Sequence, residues 1–171
     1  MSSVDVFISK EQIANRVKEI GALISKDYAG KEVTVIPLLT GAFMFAADLL
    51  REIKVPVDIQ FMATSSYEGT QSTGEVKINY DLKRSVHGKH VLLVEDIVDT
   101  GTTLKTVMEI MKTRKPASIK LASLLYKPAR NIHPVDIDYL GFEIEDKFVI
   151  GYGLDFDGRY RELPYIGVYQ A

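Results

Sequence analysis

Cysteine is absent from this chain, which rules out disulfides and thiolate zinc sites and suits a reducing compartment without requiring one. No apolar stretch approaches the roughly 20 residues that a membrane-spanning helix needs. The first residues, Met1-Ser2-Ser3-Val4-Asp5, lack the basic-then-apolar order of a secretory signal. Neither sign of charge dominates: 21 basic and 23 acidic side chains give a formal net charge of -2, so no general electrostatic attraction to nucleic acid is expected. The three histidines, His87, His90 and His133, are scattered without metal-ligand spacing and are assigned no role. The locally basic run from Arg84 to His90 has the character of a solvated turn. Internal repeats, low-complexity tracts and linkers are missing as well. What is left is a cytoplasmic globular chain of 171 residues, enough for one substantial core and short for two. One domain over residues 1–171 is expected, with neither nucleic acid nor membrane as a partner.

Ser9-Lys10-Glu11-Gln12 has the form of a capping box, and Ile13, Val17, Ile20 and Ile24 then share one helical face up to about Asp27. Val33 to Leu39 is apolar and β-branched enough for a buried strand; Thr40-Gly41 breaks it, and a helix follows over Ala42 to Glu52. Strands are expected over Val55 to Ala63 and Val76 to Tyr80, paired as a hairpin across a polar loop at Thr64 to Gly74. Further strands are expected at Val91 to Val94, Ile119 to Tyr126, Phe148 to Tyr152 and Tyr165 to Tyr169, with a helix over about Thr103 to Thr113. The last two strands are separated by the polar turn Asp155 to Arg161. This order predicts an α/β fold, a mainly parallel central sheet flanked by helices on both faces.

The most informative stretch is Val91-Leu92-Leu93-Val94-Glu95-Asp96-Ile97-Val98-Asp99-Thr100-Gly101-Thr102-Thr103. Its apolar start fits a strand buried on both faces, and it ends in two carboxylates, with a third at Asp99. Open parallel sheets bind ligands at the carboxyl edge of the strands, where these acids would sit. Thr100 to Thr103 then offers backbone N–H groups, hydroxyls and the positive end of a helix to an anion. Acids beside a phosphate cradle predict a ligand carrying both sugar hydroxyls and phosphate, with a divalent cation between. That describes a nucleotide or a sugar phosphate. An ordinary polar strand end, with Asp99 as a helix cap, would explain an isolated acidic pair but not this whole set.

Val94 to Gly101 resembles the phosphoribosyl diphosphate (PRPP) signature of the type I phosphoribosyltransferases, in the version of the hypoxanthine-guanine branch. Leu39-Thr40-Gly41-Ala42-Phe43 resembles the diphosphate-binding loop of that branch. Ser65-Ser66-Tyr67, followed by Gln71-Ser72-Thr73-Gly74, resembles its closing loop. Leu124 to Lys127 and Asp146 to Asp155 resemble its purine-binding segments. The likeness runs from about Val33 to Leu163, with five separated motifs in family order. It implies the type I fold, with a small hood formed by N- and C-terminal segments. It also implies transfer of the 5-phosphoribosyl group from PRPP to N9 of hypoxanthine or guanine, giving IMP or GMP and diphosphate, with Mg²⁺ as cofactor and a homodimer or homotetramer as the assembly.

Role by role, the resemblance implies Glu95 and Asp96 on the ribose hydroxyls and on Mg²⁺, with Asp155 as a further metal ligand beside the diphosphate and at the edge of the purine segment. Asp99 is the implied general base near purine N7. Thr100, Gly101, Thr102 and Thr103 hold the 5′-phosphate. Thr40 and Gly41 offer backbone amides to the diphosphate, through an unusual peptide geometry, and Arg161 faces the same group, with Arg159 as an alternative. Some relatives carry lysine at the position of Thr40. Ser66 and Tyr67 close over the reacting centre. Lys127 donates to the purine O6, Phe148 stacks on the base and Val149 contributes backbone contacts.

Three rivals are weighed. An RNA-binding regulator on the same fold, like the pyrimidine attenuation proteins, should present a basic face, which this balance of charge disfavours. A response-regulator receiver needs a phospho-acceptor aspartate at the end of a later central strand, and none stands out. A dinucleotide-binding enzyme needs G-x-G-x-x-G after an early strand, which is missing.

Overall fold

The computed structural model describes residues 4–66 and 75–170. Strand β1 (Val4–Ile8) leads through Ser9 into α1 (Lys10–Asp27). The capping box forms as expected: Gln12 N–H donates to Ser9 Oγ at 3.1 Å, and Ser9 N–H donates to Gln12 Oε1 at 2.8 Å. The chain continues through β2 (Val33–Leu39), α2 (Phe43–Glu52), β3 (Val57–Ile59), β4 (Met62–Ser66), β5 (Val76–Tyr80), β6 (His90–Val98), α3 (Thr102–Thr113) and β7 (Ser118–Tyr126). One 3₁₀ turn (Pro128–Arg130) then precedes β8 (Tyr139–Glu143), β9 (Val149–Ile150) and β10 (Ile166–Tyr169).

Among the described residues the main sheet runs β5-β4-β2-β6-β7-β8, with β3 beside the first half of β2. All its pairings are parallel except the β4–β5 hairpin. Alternation along the central strands divides the core. Val33, Val35, Leu92 and Val94 face α1 and α2, while Ile36, Leu38, Val91 and Leu93 face α3. Both faces are therefore covered, as the element order predicted. A second, antiparallel sheet of β1, β10 and β9 joins the two termini. It is the small hood, resting on the α1/α2 side of the core through Ile8, Val149 and Ile166.

Several boundaries depart from expectation for physical reasons. The strand expected over Val55 to Ala63 is two, because the buried Gln60 turns its side chain to the 83–84 backbone. Its Oε1 accepts from Lys83 and Arg84 N–H at 3.1 and 2.9 Å. The expected loop starts later than Thr64, since β4 runs to Ser66; the remainder, 67–74 with Tyr67, lies outside the described residues. Strand β6 does not stop at Val94 but carries Glu95 and Asp96 on to Val98, paired with β7 up to Tyr126. Phe148 to Tyr152 shortens to Val149–Ile150, because Gly151, Tyr152 and Gly153 all adopt positive φ (94°, 50° and 100°). Strands β1 and β8 were not anticipated from the sequence.

Candidate active site

The carboxyl ends of β2, β6 and β7 carry the sequence-predicted residues to one edge of the sheet. A cleft of about 140 Å³ opens there, lined by Glu95 to Gly101, Thr103 and Leu104. A larger groove of about 320 Å³ lies under α3, lined by Lys105, Met108 and Val135 among others, but none of the motif residues reaches it.

The acids adopt distinct settings. Glu95 Oε1 accepts from Asp96 N–H at 3.0 Å, and Asp96 Oδ1 accepts from Ile97 N–H at 2.7 Å. Burial, with the neighbouring Asp96 carboxylate, pushes the Glu95 carboxyl well above the usual carboxylate range. Two such groups side by side favour a cation or a set of hydroxyl donors. Asp99 does not cap α3. Gly101 stands at the N-cap with φ 84° and supplies no side-chain cap; Thr102 N–H makes only a long bond, 3.4 Å, to Thr100 Oγ1, and a helix start of this kind suits an anion. Thr100 Oγ1 and Thr102 Oγ1 lie 3.2 Å apart beside them. Gly101 is obligatory on packing grounds too, since a Cβ there would overlap the His133 carbonyl oxygen.

The loop after β2 contains a cis peptide between Leu39 and Thr40, the unusual geometry the resemblance implied. A Cβ on Gly41 would overlap Asp96 Oδ2, and a Cβ on Gly153 would overlap the Gly41 carbonyl oxygen. Three backbones thus interlock: the acid strand, the cis-peptide loop and the Gly151–Asp155 turn. Arg161 extends the stack, donating from Nη1 to Gly153 O at 2.6 Å and pairing with Asp155 Oδ1 at 3.2 Å. Asp155 Oδ2 also accepts from Gly158 N–H. Arg159 is exposed, so of the two arginines it is Arg161 that is built into this corner.

Lys127 follows the last residue of β7 and is buried, with its side chain only 8% exposed. It is not a solvated surface lysine. Its Nζ has Asp146 Oδ1 at 3.8 Å. Phe148 is half exposed and meets Phe156 and Tyr169 in T-shaped contacts at 5.7 and 6.1 Å. Val149 is buried in β9. Tyr152, within the Asp146 to Asp155 segment but assigned no role, braces the turn: its hydroxyl donates to Asp48 Oδ2 of α2, and burial together with that carboxylate raises its phenol pKa.

Sequence reasoning missed Arg130 and Asn131, and gave Asp146, at the head of the purine-binding segment, no role of its own. Arg130 Nε lies 2.9 Å from Asp99 Oδ1, and its Nη1 lies 3.7 Å from Asp146 Oδ1. Asn131 Nδ2 donates to the carbonyls of Asp99 and His133. The available signal was the Pro128 that follows Lys127, which turns the chain back toward the acid loop. His90, by contrast, bonds Ser118 away from the acids.

Glu95, Asp96 and Asp155 each offer carboxylate oxygens, the ligand type Mg²⁺ prefers. Among the described residues no three His, Cys, Asp or Glu side chains converge as a protein-built cage.

A family model described as a phosphoribosyl transferase domain matches residues 7–157. The chain is 48% identical to the hypoxanthine phosphoribosyltransferase of Haemophilus influenzae, over 96% of this chain and 94% of that protein. It is 46% identical to the hypoxanthine-guanine phosphoribosyltransferase of Staphylococcus epidermidis, over 98% and 94% respectively. Among solved structures, a hypoxanthine phosphoribosyltransferase from Staphylococcus aureus superposes with a TM-score of 0.93 at 46% identity, covering 97% of this chain and 91% of that one. A hypoxanthine-guanine phosphoribosyltransferase from Bacillus anthracis gives 0.92 at 43%, covering 96% and 97%.

Proposed function

Because the chain belongs to the phosphoribosyltransferase family, in its hypoxanthine and hypoxanthine-guanine branch, we propose that it serves purine salvage by moving the 5-phosphoribosyl group of PRPP to N9 of hypoxanthine or guanine. The products are IMP or GMP and diphosphate. The observation that carries this is the juxtaposition of a buried lysine after β7 with the acid pair, Asp99 and the glycine-led start of α3 after β6.

The bond from ribose C1 to the diphosphate breaks while the bond to N9 forms, through a state with positive charge on the ribosyl ring. The chain must hold the ribose, neutralise the leaving group and move one purine proton. Glu95 and Asp96 accept hydrogen bonds from the ribose hydroxyls. Thr100 to Thr103, at the start of α3, bind the 5′-phosphate. The Thr40 and Gly41 backbone and the Arg161 guanidinium hold the diphosphate. Asp99 takes the proton at N7 and returns it in the reverse direction. Lys127 donates to O6; adenine carries an amino donor there, so it would leave two donors facing each other, a mismatch that discriminates strongly. Phe148 stacks on the base beside the Val149 backbone, and Ser66 and Tyr67 close over the centre to exclude water. Glu95, Asp96 and Asp155 would hold Mg²⁺, which when bound neutralises charge on the departing diphosphate.

The described residues contain no helix long and apolar enough to cross a membrane; the proposal is of a cytoplasmic enzyme working as one domain in a homodimer or homotetramer. The test is to incubate the protein with PRPP, Mg²⁺ and each of hypoxanthine, guanine, xanthine and adenine, and to separate the nucleotides by chromatography. IMP or GMP without AMP is expected. No nucleotide from any purine refutes the proposal.

A further inference from the structure

The Asp99 carboxylate is unevenly covered. Its Oδ1 is buried and makes no hydrogen bond, yet the side chain as a whole is 38% exposed. The open part therefore belongs to the rest of the side chain, beyond Oδ1. A buried carboxylate oxygen without a donor is costly unless a cation compensates it. Arg130 supplies that cation: its Nε is at ion-pair distance, 2.9 Å, though not aligned as a hydrogen bond.

The backbone of the same loop is held from the same turn. Asn131 Nδ2 donates to Asp99 O at 3.3 Å. Ile132 and His133 N–H both donate to Thr100 O, at 2.9 and 3.0 Å. Lys127 N–H donates to Val98 O at 2.9 Å. Seven consecutive residues, 127–133, thus lie along 98–101, contacting the side chain at one point and the main chain at several.

We infer that Arg130 is a positioning residue for Asp99, with Asn131 securing the backbone beneath it. With Oδ1 turned to the guanidinium, Oδ2 is the oxygen left for the purine proton. The carboxyl then meets the base in one orientation rather than two, which is the kind of pre-set geometry that proton transfer rewards. Arg130 also spans to Asp146, which in turn neighbours the Lys127 ammonium. One guanidinium therefore bridges the group assigned to O6 and the group assigned to N7. This rests on the proposed role of Asp99.

The test is steady-state turnover of hypoxanthine with PRPP and Mg²⁺ by the full chain and its variants Arg130→Gln, Arg130→Lys, Asn131→Ala, Asp99→Asn and Asp99→Asn/Arg130→Gln. Arg130→Gln should lower kcat about ten- to hundredfold, with the KM for PRPP within threefold of wild type, and Arg130→Lys should restore most of the loss. In the Asp99→Asn background, Arg130→Gln should change kcat less than twofold, because its effect acts through the carboxylate. Unchanged kcat in Arg130→Gln, or an equal loss in both backgrounds, overturns the inference. Should Arg130→Gln fold poorly, Asn131→Ala carries the same comparison: a loss in kcat supports it and full activity overturns it. A wild type that makes no nucleotide refutes the proposed function itself; an active wild type whose kcat is left unchanged by Arg130→Gln refutes only this inference.

Discussion

Gly41→Ala tests the interlock between the cis-peptide loop and the acid strand. Gly41 has no left-handed φ, so alanine brings no backbone penalty and the perturbation is steric. Its ideal Cβ would overlap Asp96 Oδ2 and sit 2.7 Å from Asp96 Cγ. Carbon contacts are comfortable at about 3.5–4.0 Å, so the carboxyl must retreat by about 1 Å. Retreat also sacrifices the Asp96 Oδ1 bond from Ile97 N–H, a loss of about 1–2 kcal/mol. A displacement of about 1 Å at a group that positions substrate costs about a hundredfold in rate, equivalent to about 2.7 kcal/mol. The assay is kcat/KM for PRPP beside a thermal melt. Gly88→Ala is the stability-matched control: Gly88 has φ 71° and nothing within 4 Å of an added Cβ. There alanine costs about 1–2 kcal/mol of backbone strain without touching the acids. Both variants should lose several degrees of Tm, and only Gly41→Ala should lose activity. A Gly41→Ala enzyme within threefold of wild-type kcat/KM, or a Gly88→Ala enzyme equally impaired, would refute the steric reasoning.

Lys127→Ala should raise the KM for hypoxanthine by about ten- to a hundredfold, the worth of a hydrogen bond from a charged donor, with PRPP binding spared; an unchanged purine KM argues against O6 recognition. Excess chelator should abolish turnover, and substantial activity in its presence would remove Mg²⁺ from the scheme. Arg114 and Asp81 form a two-pronged pair with both bonds at 2.7 Å, and bonding to Arg114 holds the Asp81 carboxyl below its usual value. The pair therefore stabilises above the unfolded carboxylate's range and loses that effect as pH falls through the folded value. Arg114→Gln should cost about 0.5 kcal/mol near neutrality after allowing for solvent exposure, about 1–2 °C in Tm. The difference from wild type should shrink as pH falls below the ordinary carboxylate range and through the lowered folded value of Asp81; a gap that stays constant into strong acid would rule out the linkage.

Much of the fold was legible because its cues are local. The Ser9 box and the Val33–Leu39 run follow from spacing and side-chain type alone, and Val76–Tyr80 reads as a strand in a hairpin, though its partner β4 lies further along the chain than expected. Strand β8 was not legible. Its Tyr139-Leu140-Gly141-Phe142-Glu143 is a strand because β7 lies alongside, and Gly141 sits where a Cβ would meet the Leu124 carbonyl oxygen. Strand β1 is half exposed and owes its form to β10, paired from the other end of the chain. The site divided in the same way. The acids, the threonine loop and Lys127 were found from their own motifs, while Arg130 sits in an unremarkable Lys-Pro-Ala-Arg turn whose meaning depends on what it faces.

By itself, then, the amino-acid order determined which chemical groups are present, which helix and strands they terminate, and which family the chain resembles, since those depend on neighbours within a few residues. Tertiary structure alone decided that Gly41 abuts Asp96, that Gly153 abuts Gly41, and that Asp99 Oδ1 is buried against Arg130. These contacts join residues from 31 to 112 positions apart in the chain. Burial and charge pairing act through space, and no local pattern of residues records them.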